Sequence, residues 1–103
     1  VEAHVEAIDL ILHKGKIGET YLIGGENEKR NIDLVFKLIK LTDTMLGRSK
    51  GFSKKLIHFI PDRPGHDYRY AIDNSKVKDE LGWKPKTPFE LGLDKTVRYY
   101  LGL

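Results

Sequence analysis

Apolar residues recur at helical spacing in three long stretches of this chain, whereas its strand-like runs are few and short. That imbalance constrains the fold more than any other feature. Val1, Val5, Ile8 and Leu12, with Ala7 and Ile11 beside them, trace a helix up to Lys14. A second helix is predicted over residues 32–46, with Val35, Leu38, Ile39, Thr42, Met45 and Leu46 facing inward. Asn31 is its expected N-cap and Gly47 its stop. Thr87, Pro88 and Glu90 read as a capping box with proline at the first helical position, opening a last helix whose Phe89, Leu93, Val97 and Tyr100 share a face. A shorter helix begins at Asn74 or Ser75 and runs through Leu81 to Gly82.

Three runs read as strands: 19–23 (ETYLI), 55–60 (KLIHFI) and 69–72 (RYAI). The order is mixed α/β, a few short strands with three to four helices. Such strands need a sheet to join, and the first helix needs something to lie on. The chain reads as a lobe, not a whole protein. It starts on the helix pattern with no cap and no initiator methionine, so sequence upstream is expected.

With 103 residues and 40 % hydrophobic content, a modest single core is within reach and disorder is not expected. The chain has no cysteine, which excludes a disulfide framework, a cysteine-ligated zinc and a thiol nucleophile, and fits the cytoplasm. No apolar run approaches the roughly 20 residues of a membrane span. The net charge of +3 is small and interspersed. The basic stretch Arg48, Lys50, Lys54 and Lys55 reads as a solvated loop between elements, so neither nucleic acid nor membrane is an expected partner.

The segment GKIGETY (15–21) looks like a glycine-rich phosphate loop, but a dinucleotide fingerprint follows a strand and opens a helix. Here a helix precedes, so no cofactor site is expected at Gly15 or Gly18. None of the five tyrosines has a lysine four positions on, the arrangement that would make a phenol a usable acid or base. His4, His13, His58 and His66 have no metal-ligand spacing. No catalytic residue emerges.

The segment PDRPGHDYRYAID (61–73) is different. Arg63 carries a forked guanidinium that can hold two phosphate oxygens, and His66 can donate from its ring or carry a second positive charge. Pro64 and Gly65 bend the backbone so that the two can converge. Asn31, at a helix start, sits where backbone N–H groups favour an anion. The plainer alternatives are a salt bridge from Arg63 to Asp62 or Asp67, an exposed turn histidine, and a simple cap.

The order VEAH, GETYLIGGENEKRNID, DRPGHDYRYAID, ELGWKP and TPFELGLDKTVRYYL closely resembles the C-terminal part of the dTDP-glucose 4,6-dehydratase family. These are extended short-chain dehydrogenases of Rossmann type that use NAD on a nucleotide sugar. The resemblance spans essentially all 103 residues. It implies one nucleotide-sugar-binding lobe over 1–103, with the N-terminal NAD-binding Rossmann domain absent. Asn31, Asp62, Arg63, Pro64, Gly65 and His66 are its implied substrate contacts, a clamp on the nucleotide diphosphate. In the family the NAD loop, the tyrosine–lysine pair and the acidic dehydration residues all lie upstream. The chain is therefore expected to bind no NAD, to be inactive alone, to meet a missing N-terminal half and to self-associate. Three positions depart from the pattern: Ala3 for aspartate, Leu22 for asparagine and Tyr68 for arginine. A related epimerase or dehydratase lobe and a free-standing interaction module that kept the fold are the competing readings.

Overall fold

The computed structural model describes all residues 1–103. Four α-helices follow one another: α1 (Glu2–Lys14), α2 (Asn31–Met45), α3 (Ser75–Leu81) and α4 (Phe89–Leu101), with a short 3-10 helix at Phe52–Leu56. The chain divides into two compact units. The first comprises Val1–Glu28 and Arg69–Pro88, the second Lys29–Tyr68 and Phe89–Leu103.

In the first unit α1 packs against α3. Ala7, Val77 and Trp83 are buried, with Ala3, Leu10, Ile11, Tyr21, Ile23 and Leu81 packed around them. Ala3, Ala7, Leu10 and Ile11 lie one to two turns apart, which puts them on one helix face. The anticipated stripe of Val1, Val5, Ile8 and Leu12 is the other face, and it is exposed. The small side chains of Ala3 and Ala7 let α3 come close, and that contact selects the inner face. Asn74, buried ahead of α3, donates from Nδ2 to the Gly24 carbonyl at 3.3 Å. Its side chain therefore does not cap α3. Instead the Asp73 carboxylate accepts the Ser75 N–H at 2.9 Å.

The expected strands do not form. Residues 19–23 and 69–72 belong to no ladder, and 55–60 begins inside the 3-10 helix. Strand propensity alone cannot make a strand, because each backbone group needs a partner at ladder spacing. Gly24, just after the first of these segments, does meet Ile72 of the last, where a side chain on Gly24 would put its Cβ 2.9 Å from the Ile72 Cβ. The contact is made without a ladder.

In the second unit α2 packs against α4 and against the 3-10 helix. Val97 is its buried apolar residue, while Asp43 and Ser53 are buried polar ones. The Asp43 carboxylate accepts the Ser53 hydroxyl at 2.5 Å and the Ser53 N–H at 3.1 Å, tying the end of α2 to the 3-10 helix. Arg48 Nη1 adds a bond to the Ser53 hydroxyl at 3.3 Å. The hydrogen bond from the Ser53 hydroxyl is the main cause that holds the Asp43 carboxyl below its usual value, against the opposing effect of burial. The Ser53 N–H and the Arg48 charge act in the same direction as the hydroxyl.

Lys37 bridges α2 to α4 through Glu90 at 2.6 Å. The Lys29 and Lys37 ammonium groups stand 4.6 and 6.0 Å from the centre of the Phe89 ring. The Glu90 carboxylate thus serves an interhelical pair. On α4 Val97 is buried, but Tyr100 is exposed.

Candidate functional site

The segment that the sequence singles out is exposed throughout; its residues 61–68 belong to the second unit and 69–73 to the first. Its backbone turns at Arg63-Pro64-Gly65-His66, where the His66 N–H donates to the Arg63 carbonyl at 3.3 Å. Pro64 at the second position and Gly65 at the third, with φ +71°, match a type II turn. Gly65 is required by that left-handed φ and not by crowding, since nothing lies within 4 Å of the place a Cβ would take.

Asp62 sits at the mouth of the turn and organises it. Its Oδ1 accepts the Arg63 N–H at 2.9 Å and lies 2.5 Å from His66 Nδ1. The His66 hydrogen bond is the chief reason that the Asp62 carboxyl titrates below its usual range, opposed by desolvation and reinforced by the His66 charge and the Arg63 N–H. The turn therefore brings Asp62, Arg63, Pro64, Gly65 and His66 together.

Asn31 lies elsewhere in the same unit, as the first residue of α2 and not its cap. The cap position belongs to Arg30, whose carbonyl accepts the Asp33 and Leu34 N–H groups at 3.1 Å. Its guanidinium meets the Asp33 carboxylate at 2.8 and 3.0 Å. An arginine–aspartate pair three residues apart closes the first turn, which leaves the Asn31 amide no capping task.

Sequence reasoning missed the internal role of Asp62. A carboxylate four residues before a histidine, across a Pro-Gly pivot, was the available signal. The three departures are scattered: Ala3 is absorbed into the first unit's core, while Leu22 and Tyr68 are exposed.

Other chemistry finds little support among these residues. Gly15 closes α1, its N–H donating to the Ile11 carbonyl at 2.8 Å, so the GKIGETY segment leaves a helix where a dinucleotide cradle would enter one. These residues do not fit NAD. No group of three or more His, Asp or Glu side chains has the geometry to hold a metal ion. No helix is long and apolar enough to cross a membrane.

Comparison with known proteins gives this arrangement its context. The family described as GDP-mannose 4,6 dehydratase matches residues 1–96, and the chain belongs to that family. Among curated relatives, the dTDP-glucose 4,6-dehydratase of Escherichia coli is 50 % identical over 101 residues, which is 98 % of this chain and 28 % of the relative. The enzyme of the same name from Xanthomonas campestris is 49 % identical over 102 residues, 98 % of this chain and 29 % of the relative. Two solved structures agree in fold. The dTDP-glucose 4,6-dehydratase of Bacillus anthracis in complex with NAD aligns with a TM-score of 0.80 at 46 % identity. DesIV of Streptomyces venezuelae, with NAD and TYD bound, aligns with a TM-score of 0.82 at 37 % identity. Each alignment covers 98 % of this chain and 29 % of the solved chain. The chain thus spans less than a third of the relatives' length, corresponding to their C-terminal part.

Proposed function

We propose that this chain is the nucleotide-sugar-binding lobe of a dTDP-glucose 4,6-dehydratase-like enzyme, and that it does not catalyse dehydration alone. One observation carries the reading. The Asp62–His66 turn, closed by hydrogen bonds from the Arg63 N–H and the His66 ring to Asp62, lies on a chain about 50 % identical to dTDP-glucose 4,6-dehydratases. NAD would supply hydride transfer in the whole enzyme, and its binding loop belongs to an N-terminal half that this chain would meet.

The turn does the holding. A guanidinium makes two parallel charge-assisted bonds to a diphosphate, whereas a lysine offers one mobile charge. Because the loop is exposed, binding by the chain alone is weak. Arg63→Ala lowers dTDP affinity by on the order of ten- to a hundred-fold, and Arg63→Lys restores part of it. Lys54, which stands 5.5 Å over the Phe36 ring, is the control, and Lys54→Ala leaves affinity nearly unchanged. The test is calorimetric titration of dTDP into these variants, with an assay for a 4-keto product from dTDP-glucose and NAD. Equal affinity for wild type and Arg63→Ala overturns the clamp, and a 4-keto product above a no-protein control overturns the inactivity.

A further inference from the structure

Asp62 and His66 face each other at 2.5 Å, carboxylate Oδ1 to ring Nδ1. The two groups are within hydrogen-bonding reach, and an ionised carboxylate can only accept. The proton must then reside on Nδ1. The same oxygen also accepts the Arg63 N–H at 2.9 Å, so the backbone fixes the carboxylate that fixes the ring.

We propose that Asp62 is a positioning residue for His66: it holds the ring by Nδ1–H and reserves Nε2 for an anionic ligand. The consequence follows from the inventory of an imidazole. In the neutral ring with its hydrogen on Nδ1, Nε2 carries a lone pair, which repels a phosphate oxygen. Nε2 becomes a donor only when a solvent proton is added there. The imidazolium then donates one N–H to Asp62 and the other to the ligand, and stands between two anions. The other charged groups of residues 61–73 are Arg63, Arg69, Asp67 and Asp73, so with Asp62 the segment holds two cations against three carboxylates, and a proton on His66 brings it to neutrality before the ligand arrives. A direct contact from Asp62 to a diphosphate would be repulsive, which is why its work is done through His66. The proton-uptake step rests on the nucleotide reading above, whereas the tautomer does not.

Ring-nitrogen NMR of the 15N-labelled 103-residue chain tests both. At a pH where the ring is mostly neutral, the wild type shows a protonated Nδ1 and a bare Nε2. Asp62→Ala loses that bias, and Asp62→Asn, whose amide oxygen can still accept, keeps it. A wild-type ring with its hydrogen on Nε2, or a tautomer unchanged in Asp62→Ala, overturns the proposal. Added inorganic pyrophosphate should then bring protonation of Nε2 as well. Amide shifts at residues 62–66 with Nε2 still bare would overturn the proton uptake. A tautomer bias with no response to pyrophosphate would uphold the positioning role and count against the nucleotide reading.

Discussion

Each of the two units of this chain has its own means of internal cohesion. The first closes on apolar contact: Ala7, Val77 and Trp83 are buried, and Trp83 brings a large ring area out of water. The second buries one apolar residue, Val97, and two polar ones, Asp43 and Ser53, and adds the Lys37–Glu90 pair and lysines over Phe89. Apolar burial scales with area and tolerates small shifts in geometry, whereas a buried polar pair contributes only while its distances hold. The candidate binding turn sits in the unit of the second kind, within a long exposed segment of residues 58–73. Ligand loops are commonly drawn from the less stable parts of a structure, where ordering on binding is affordable.

The largest expected effect is in the first unit. Trp83→Ala removes the ring against which Ala7 and Val77 pack, at a cost of about 3–5 kcal/mol. Amide exchange should show protection lost across α1 and α3. Retained protection in α1 would mean that its inner face is not what holds it.

A smaller effect is expected in the second unit. Ser53→Ala leaves the Asp43 carboxylate with the Ser53 N–H alone and should raise opening of the 3-10 helix roughly ten-fold. Exchange at residues 52–56 reads it directly. An unchanged rate would show that the turn is held by the cations over Phe52 and Phe36 instead.

Acid should sharpen the contrast further. The Asp43 carboxyl is held below its usual value in the folded state, so its contribution is fully present above the unfolded pKa of about 3.9 and is lost as pH falls through the lower folded value. Amide protection at residues 52–56 should therefore fall as the pH drops below about 4, ahead of protection in α1. Three carboxylates of the first unit titrate low as well: Glu19 with Lys76 and Glu28 with Arg69 are half-exposed pairs screened by water, and Asp73, exposed, is held by Ser75 at the start of α3, so their loss matters less. Simultaneous loss in both units would erase the distinction.

The helices were legible in the sequence because 3.6-residue periodicity is a local property, and α1, α2, α3 and α4 all lie where the pattern placed them. The inner face of α1 was not, because Val1, Val5, Ile8 and Leu12 are the larger side chains and a spacing rule cannot weigh close approach by alanine. The strands failed for a related reason: whether ETYLI or KLIHFI pairs depends on which backbone lies beside it. The Asp43–Ser53 bond spans ten residues between polar groups and leaves no periodic trace. At the candidate site, Pro64 and Gly65 declared the turn, but the inward hydrogen bonds of Asp62 depend on torsions that composition does not encode.

The central claim is that the 62–66 turn of the second unit grips a nucleotide diphosphate. Titrating dTDP into 15N-labelled chain and following every backbone amide tests it most directly. The account predicts saturable shifts at residues 62–67 and at the start of α2 around Asn31, with the amides of Ala7, Val77 and Trp83 unmoved. Shifts that bypass the turn and gather in the first unit, or none at millimolar dTDP, would contradict it.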